Sequence, residues 1–303
     1  MDVDAWTLNT VLFKWLIYGG SAAAIGGIGI ATLLLFDAST RPRIPAALRF
    51  TGIGCAVGLI AIAVNFFLQV GAFADDGVSG LFDVGIMALL WQSAVGEALA
   101  LRALGFVALV TLSVGLLRWP RSLSRPGARW MVILCIVAGI GLIGASFGAI
   151  GHSTEHGLLA QVLIVAHVLG VLWWIGALIP LWQACGTLPV ADLRALMHRF
   201  GQLAVGVVAM LLVCGAALIV LYLDSPDEMI TTPYGIALSL KISAVLLLLG
   251  VAARHKWRLV PLLVDPAATL RLRISIGIEI VIAALILMLT AILSTVLSPA
   301  GLV

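Results

Sequence analysis

Residues 158–182 read LLAQVLIVAHVLGVLWWIGALIPLW, and this stretch decides the class of the fold. It contains no Asp, Glu, Lys or Arg, and its one histidine is His167. At about 1.5 Å per helical residue, the stretch is longer than the hydrocarbon core of a bilayer, which is about 30 Å thick. It therefore predicts a transmembrane helix.

Seven further apolar stretches of similar length lie on both sides of this one. They run from Val11 to Phe36, Leu48 to Phe73, Ala98 to Leu117, Trp130 to Ile150, Phe200 to Leu223, Gly235 to Ala253 and Ile274 to Leu297. A shorter run, Leu81 to Trp91, does not reach across a bilayer and is interpreted as an interfacial or re-entrant piece. No repeat or linker divides the chain. We predict an all-α polytopic membrane protein, in which residues 1–303 form a single bundle of about eight transmembrane helices.

The composition excludes a soluble fold. Hydrophobic residues make up 62% of the chain and charged residues 10%, whereas a soluble domain has about 25% charged residues. Nucleotide-binding and hydrolase motifs are not found, and no basic module suits nucleic acid, so an enzymatic role is not predicted. The four cysteines stand singly without a CxxC pair, so we interpret them as packing residues: Cys55, Cys135, Cys185 and Cys214.

The charges of the connections alternate in sign. Fourteen of the 17 basic residues lie in or beside the first, third, fifth and seventh connections. The N-terminus and the second, fourth and sixth connections carry acidic residues instead. By the positive-inside rule, both termini and the acidic connections face outward, into the periplasm, and the Arg-rich connections face the cytoplasm. Asp2 and Asp4 precede the first stretch without any basic residue, so we predict a retained helix rather than a cleaved signal.

Charged side chains at membrane depth require a partner or a role, because each costs at least about 2.5 to 3.5 kcal/mol on insertion scales. Five lie within or beside the predicted spans: Lys14, Glu97, Arg102, Lys241 and Glu279. Snorkelling to the interface accounts for Lys14, and snorkelling or mutual pairing is one interpretation for Glu97 and Arg102. Glu279 is expected to pair with Arg273 or another loop arginine. Lys241 either pairs with a carboxylate such as Glu97 or forms part of a substrate path.

The histidines offer a candidate metal site. His152 and His156 are four residues apart in the outer connection, and His167 follows eleven residues later. In a continuous helix, eleven steps of about 100° return His167 to within about 20° of His156. Imidazole is a ligand for copper, zinc, iron and nickel, so these residues predict an outer pair above a third, buried imidazole. The alternative is that His152 and His156 are solvated and His167 is a hydrogen-bonded core residue. His198 and His255 are expected to be solvated in the basic connections.

Several segments of the second half resemble the copper resistance protein D family. They are Gly151-His152-Ser153, Ala166-His167-Val168-Leu169, the run from Leu172 to Leu178, Phe200 to Gly215-Ala216, Thr232-Pro233-Tyr234-Gly235 with Lys241, Pro261, and Leu270-Arg271 with Glu279. The resemblance extends from about Gly144 to Pro299. The first 140 residues match that family only in hydropathy and helix count.

The resemblance implies a bacterial inner-membrane protein that moves copper between periplasm and cytoplasm beside a periplasmic copper carrier. It assigns metal handling to His152 and His167, to which the helical spacing adds His156. Trp174, Tyr234, Lys241 and Glu279 are its other motif residues, and Glu97 is a candidate residue of the path. We expect import of copper. The alternatives are a haem-binding or quinone-linked membrane oxidoreductase with His167 on the iron, and an assembly factor that delivers copper to an oxidase.

Overall fold

Eight long helices form the molecule in the computed structural model, which describes residues 5–119, 126–150, 157–223, 225 and 227–296. They are α1 (Ala5–Leu34), α2 (Ile44–Ala74), α4 (Ala94–Arg118), α5 (Pro126–Gly148), α6 (Gly157–Cys185), α7 (Val190–Tyr222), α9 (Pro233–Arg254) and α10 (Pro266–Leu293). Each lies in a segment long and apolar enough to span a membrane, and no strand occurs among the described residues. The predicted all-α, eight-helix fold is confirmed.

Two short helices, α3 (Val84–Trp91) and α8 (Glu228–Thr231), lie in the connections. At eight residues, α3 is too short to cross the bilayer, in agreement with its interpretation as an interfacial piece. We name the end of the bundle that holds these two helices the acidic end, and the opposite end the basic end. The chain enters α1 and leaves α10 at the acidic end.

Polar residues fix where several helices begin. Ser93, Thr232 and Asp265 each precede a helix, and the side-chain oxygen of each accepts a hydrogen bond from a backbone N–H of its first turn. Such bonds satisfy donors that have no partner within the helix. Pro233 and Pro266 occupy first helical positions, where a missing N–H costs nothing. These caps explain why α9 and α10 begin before the apolar runs that predicted them.

The first helix lies at the centre of the bundle, packed against α2, α6 and α10. Small residues allow the close approach of its backbone. A side chain at Gly26 would overlap the backbone of Gly176 in α6, and a Cβ at Gly20 would lie 2.8 Å from the Gly54 carbonyl oxygen in α2. Such glycine contacts replace the hydrophobic driving force that lipid cannot provide between helices.

Side chains tie the helices together at the basic end. Arg43 donates to the Thr187 carbonyl at 2.6 Å, and the Arg273 guanidinium lies 4.1 Å from the centre of the Trp182 ring. Between α9 and the last loop, His255–Leu259 form a π-helical turn. Cys55, Cys185 and Cys214 are buried and Cys135 is partly exposed, all as free thiols.

Candidate functional site

A cavity of about 510 Å³ lies in the half of the bundle nearest the acidic end. Most of its wall is apolar, with contributions from α1, α2, α4, α5, α6, α7, α9 and α10. Its polar lining consists of Lys14, Tyr18, Asn65, Gln69, Arg102, His167, Trp174, Lys241, Thr290 and Ser294. A mostly apolar cavity with a few converging polar groups is the usual form of a small-molecule site.

Five of these polar side chains start at a common depth. Lys14, Arg102, His167 and Lys241 lie eight to ten residues after the beginnings of their helices, and Asn65 lies nine residues before the end of α2. Since a helix rises 1.5 Å per residue, all five are about 12 to 15 Å from the acidic end. The cavity therefore places a layer of polar groups inside the apolar part of the bundle.

His167 is held by one hydrogen bond. Its Nδ1 lies 3.3 Å from the Leu211 carbonyl oxygen of α7, which accepts only, so Nδ1 carries the proton. In this tautomer Nε2 keeps its lone pair and is the atom free to bind a metal ion. Gly215 faces the ring at close range, where a Cβ would lie 3.3 Å from Cε1. The side chain is thus positioned as a ligand by a backbone partner.

Arg102 has only 8% of its surface exposed. Its Nε donates to the Ser146 hydroxyl at 2.9 Å, and its guanidinium carbon lies 4.5 Å from the centre of the Phe147 ring. The Tyr18 ring lies beyond Phe147, with the two ring centres 5.9 Å apart. Within the described residues, the neighbours that hold this cation are uncharged.

Lys14 connects the first helix to the end of the last. Its Nζ donates to the Ser294 carbonyl at 2.8 Å, and the hydroxyl groups of Tyr18 and Ser294 lie 3.1 Å apart. Lys14 lies close enough to Arg102 for the two charges to repel each other. The ammonium group both lines the cavity and reaches Ser294 at the acidic end of α10, so the snorkelling of Lys14 stays a prediction.

The cavity contains three cationic side chains and no described carboxylate. Lys14, Arg102 and Lys241 are also the three basic residues that do not belong to the basic connections. Lys241 and His167 line the same cavity. No carboxylate of the described residues forms an ion pair with Lys241, and Glu97, its expected partner, is exposed. Of the two alternatives for Lys241, pairing with Glu97 is therefore not found among the described residues, and a place in a substrate path stays a prediction.

The other predicted site residues fall in different places. His167, Trp174 and Lys241 line the cavity, whereas Tyr234 and Glu97 do not. His152 and His156 lie outside the described residues. No group of three or more histidine, cysteine or carboxylate side chains suited to a metal ion occurs within the described ranges. The structure thus provides one imidazole for a metal in the cavity.

Glu279 does not line the cavity; it lies near the middle of α10 and contacts His255, which follows α9 at the basic end. It is 2% exposed and its Oε2 lies 3.3 Å from Nδ1 of His255, whose Nε2 shares a 2.6 Å hydrogen bond with the Ser275 hydroxyl. The expected pairing of Glu279 with Arg273 is wrong, because the Arg273 guanidinium stacks on Trp182 instead. The expectation that His255 is solvated is also wrong. The π-helical turn that begins at His255 directs its ring into the bundle.

Sequence reasoning did not identify Arg102, Lys14 or Tyr18 as members of one site. The sequence did contain a signal for Lys14 and Arg102. Together with Lys241, they are the basic residues that the positive-inside pattern does not explain. Tyr18 gave no signal, because a tyrosine near a helix end is common in membrane proteins.

The family comparison confirms the resemblance for the last third of the chain. Residues 194–293 match the family model described as copper resistance protein D. This match indicates a copper-related, multi-pass membrane protein. The matched region includes Tyr234, Lys241 and Glu279, and it begins after His152, His156 and His167. Neither a curated protein nor a solved structure matches the chain.

Proposed function

We propose that this chain, which carries a copper resistance protein D domain at residues 194–293, imports copper across the bacterial inner membrane. The observation that carries the proposal is His167, whose Nε2 is free to bind a metal ion at the wall of a cavity near the acidic end. Imidazole binds both oxidation states of copper found in proteins. The role is transport or handling of the ion rather than catalysis.

The positive-inside rule orients the proposed path. The basic residues of the odd-numbered connections favour a cytoplasmic position for the basic end, and the cavity would then face the periplasm. Copper then reaches the cavity from outside, delivered by a periplasmic copper carrier. No nucleotide motif in the sequence supplies energy for export, which favours the inward direction.

A single imidazole is too few ligands for tight binding. The sequence offers His152 and His156, between α5 and α6, as additional donors. We propose that this pair receives the ion and that His167 binds it inside the cavity. A histidine binds a metal ion as a neutral imidazole. The tautomer of His167 with its proton on Nδ1 is neutral and has its lone pair on Nε2.

Copper uptake and copper binding test the proposal together. The wild type is compared with His167→Ala and with the double variant His152→Ala/His156→Ala, in proteoliposomes supplied with Cu(I) and by metal analysis of the purified protein. His198→Ala is the matched control, because His198 is exposed at the basic end. Loss of a ligand should weaken copper binding by at least about ten- to hundredfold.

The outcomes separate the alternatives. Reduced uptake and binding in both test variants, with an unchanged control, supports import through the histidine path. Binding that depends on His167 without any uptake favours an assembly factor that hands copper on. Equal binding in all four proteins contradicts the histidine site.

Haem binding is the second candidate, and the charge of the cavity favours it. One imidazole, three cations and an apolar wall match a planar apolar group with two carboxylates. The visible spectrum of protein purified from haem-supplemented cells tests it: a Soret band that disappears in His167→Ala supports an oxidoreductase, and protein without a Soret band rules this candidate out.

A further inference from the structure

The three cationic residues of the cavity need an explanation that the copper path does not give. A bare copper cation is repelled by Lys14, Arg102 and Lys241, which all line the space around His167. Cations within a span are costly and mark a functional site by default. Their concentration in one cavity, while every other basic residue lies in or beside a basic connection, points to a ligand of opposite charge.

Arg102 has one hydrogen-bonded donor among the described residues. More than nine-tenths of the residue is buried, and its described contacts are the hydrogen bond from Nε to Ser146 and the Phe147 ring. A guanidinium has five N–H donors, so its two terminal amino groups lack an acceptor within the described ranges. A carboxylate or phosphate accepts two parallel hydrogen bonds from such a group.

Asn65 and Lys241 provide further unpartnered polar groups. Asn65 is 8% exposed and its Oδ1 has no hydrogen-bond partner in the described part of the chain. The Nζ of Lys241 likewise donates no hydrogen bond to a described acceptor. Both residues line the cavity at the depth of Arg102. The Lys241 ammonium needs an acceptor, which an anion at this depth would supply, whereas Oδ1 of Asn65 is itself an acceptor and needs a donor instead.

We propose that the cavity is a binding site for an amphipathic anion. Its carboxylate or phosphate group binds between Arg102, Lys14 and Lys241, and its apolar body lies against Ile62, Leu99 and Leu172. A free aliphatic carboxylate and the phosphate of an anionic lipid share this chemistry. The inference goes beyond the copper proposal, although the cavity is the same, and a bound anion would offset the repulsion that copper meets at His167.

The test measures anion binding without any metal. Protein in a neutral detergent, stripped with EDTA, is titrated with dodecanoate and, in parallel, with the uncharged dodecanol, and the bound fraction is followed by native mass spectrometry. The variants are Arg102→Gln and Lys241→Gln. Lys241→Arg keeps the charge, and Arg194→Gln removes an exposed charge at the basic end as the matched control.

Dodecanoate should bind at least about tenfold more tightly than dodecanol, and each glutamine variant should lose about tenfold in dodecanoate affinity, because a charge-assisted hydrogen bond is removed. Arg194→Gln should keep wild-type affinity, and Lys241→Arg should retain more of it than Lys241→Gln does, because the charge is kept. Equal affinity for the two probes, no binding of dodecanoate, or an equal loss in Arg194→Gln would overturn the proposal. Lys241→Gln keeps the proposal falsifiable if Arg102→Gln does not fold, since Lys241 has no described hydrogen bond to lose.

Competition by lipid identifies the natural source of the anion. The bound fraction of dodecanoate is compared between phosphatidylglycerol nanodiscs and phosphatidylcholine nanodiscs. A lower fraction in phosphatidylglycerol supports the site and assigns it to a lipid phosphate. Equal dodecanoate binding in both supports the site and assigns it to a free carboxylate. Because no copper is present, a failure of copper import leaves these results unchanged.

Discussion

Removal of His255 should destabilise the bundle strongly, because it leaves a buried carboxylate without its described partner. Glu279 is 2% exposed, its Oε2 lies 3.3 Å from His255 Nδ1, and its Oε1 already has no hydrogen-bond partner within the described residues. The contact is an ion pair when His255 is protonated, and breaking a buried ion pair from one side costs about 3 to 5 kcal/mol. For a chain of this size, about 1 kcal/mol corresponds to about 2 °C, so His255→Ala should lower the unfolding midpoint by about 6 to 10 °C.

The free thiols provide the assay. Cys55, Cys185 and Cys214 are buried, so a thiol-reactive fluorescent dye reports their exposure as the purified protein is heated. The control is His198→Ala, which removes an exposed histidine from the same end and should change the midpoint by less than about 1 °C.

A double-mutant cycle separates the lost pair from lost packing. Glu279→Gln keeps the volume of the side chain and removes its charge. In that background, His255→Ala should cost about 1 to 3 kcal/mol less than it does in the wild type. If His255→Ala shifts the midpoint by less than about 2 °C, or if the two changes are additive, the pair does not stabilise the protein and the reasoning fails.

Two further changes test the packing and the charge of the cavity. Gly26→Leu should abolish the folded, monodisperse protein on size-exclusion chromatography, because a side chain there overlaps the backbone of Gly176, whereas Gly19→Leu should fold normally since a Cβ at Gly19 contacts nothing within 4 Å. Lys241→Met should raise the affinity for Cu(I) about tenfold in competition with a chromogenic chelator, as expected from removing a unit charge about 10 Å from the ion at an effective dielectric constant of about 20. An unchanged affinity would mean that Lys241 does not act on ions at His167.

Hydropathy and charge were sufficient to predict the eight spans, because lipid requires a long apolar run for each helix. They did not predict where the helices begin. The apolar run in the last span starts at Ile274, yet α10 begins at Pro266, since Asp265 caps a turn that lies beyond the hydrocarbon layer. Helices extend past the lipid boundary wherever backbone caps and loop contacts stabilise them, and hydropathy does not record this.

The site could be predicted only in part. A sequence gives the depth of a residue in the membrane, but it does not say whether the side chain points into the bundle or toward the lipid. His167 and Lys241 were recognised as polar groups at depth, and both line the cavity. Arg102 has the same signal but was given an interfacial role. Because of its negative charge, Glu279 was expected to pair with an arginine. The π-helical turn at His255, which no pattern of apolar residues indicates, places an imidazole there instead.

The charge of the cavity also bears on which form of copper can reach His167. Coulomb repulsion scales with the charge of the ion, so three fixed cations penalise Cu²⁺ twice as strongly as Cu⁺. For any separation of about 10 Å at an effective dielectric constant of about 20, one cation would add about 1.7 kcal/mol against Cu⁺ and about 3.3 kcal/mol against Cu²⁺. An anion bound beside Arg102 removes one such contribution for Cu⁺ and twice that amount for Cu²⁺. Under the proposed copper path, we therefore expect the charges of the described cavity to disfavour the divalent ion, and the proposed anion to reduce that preference.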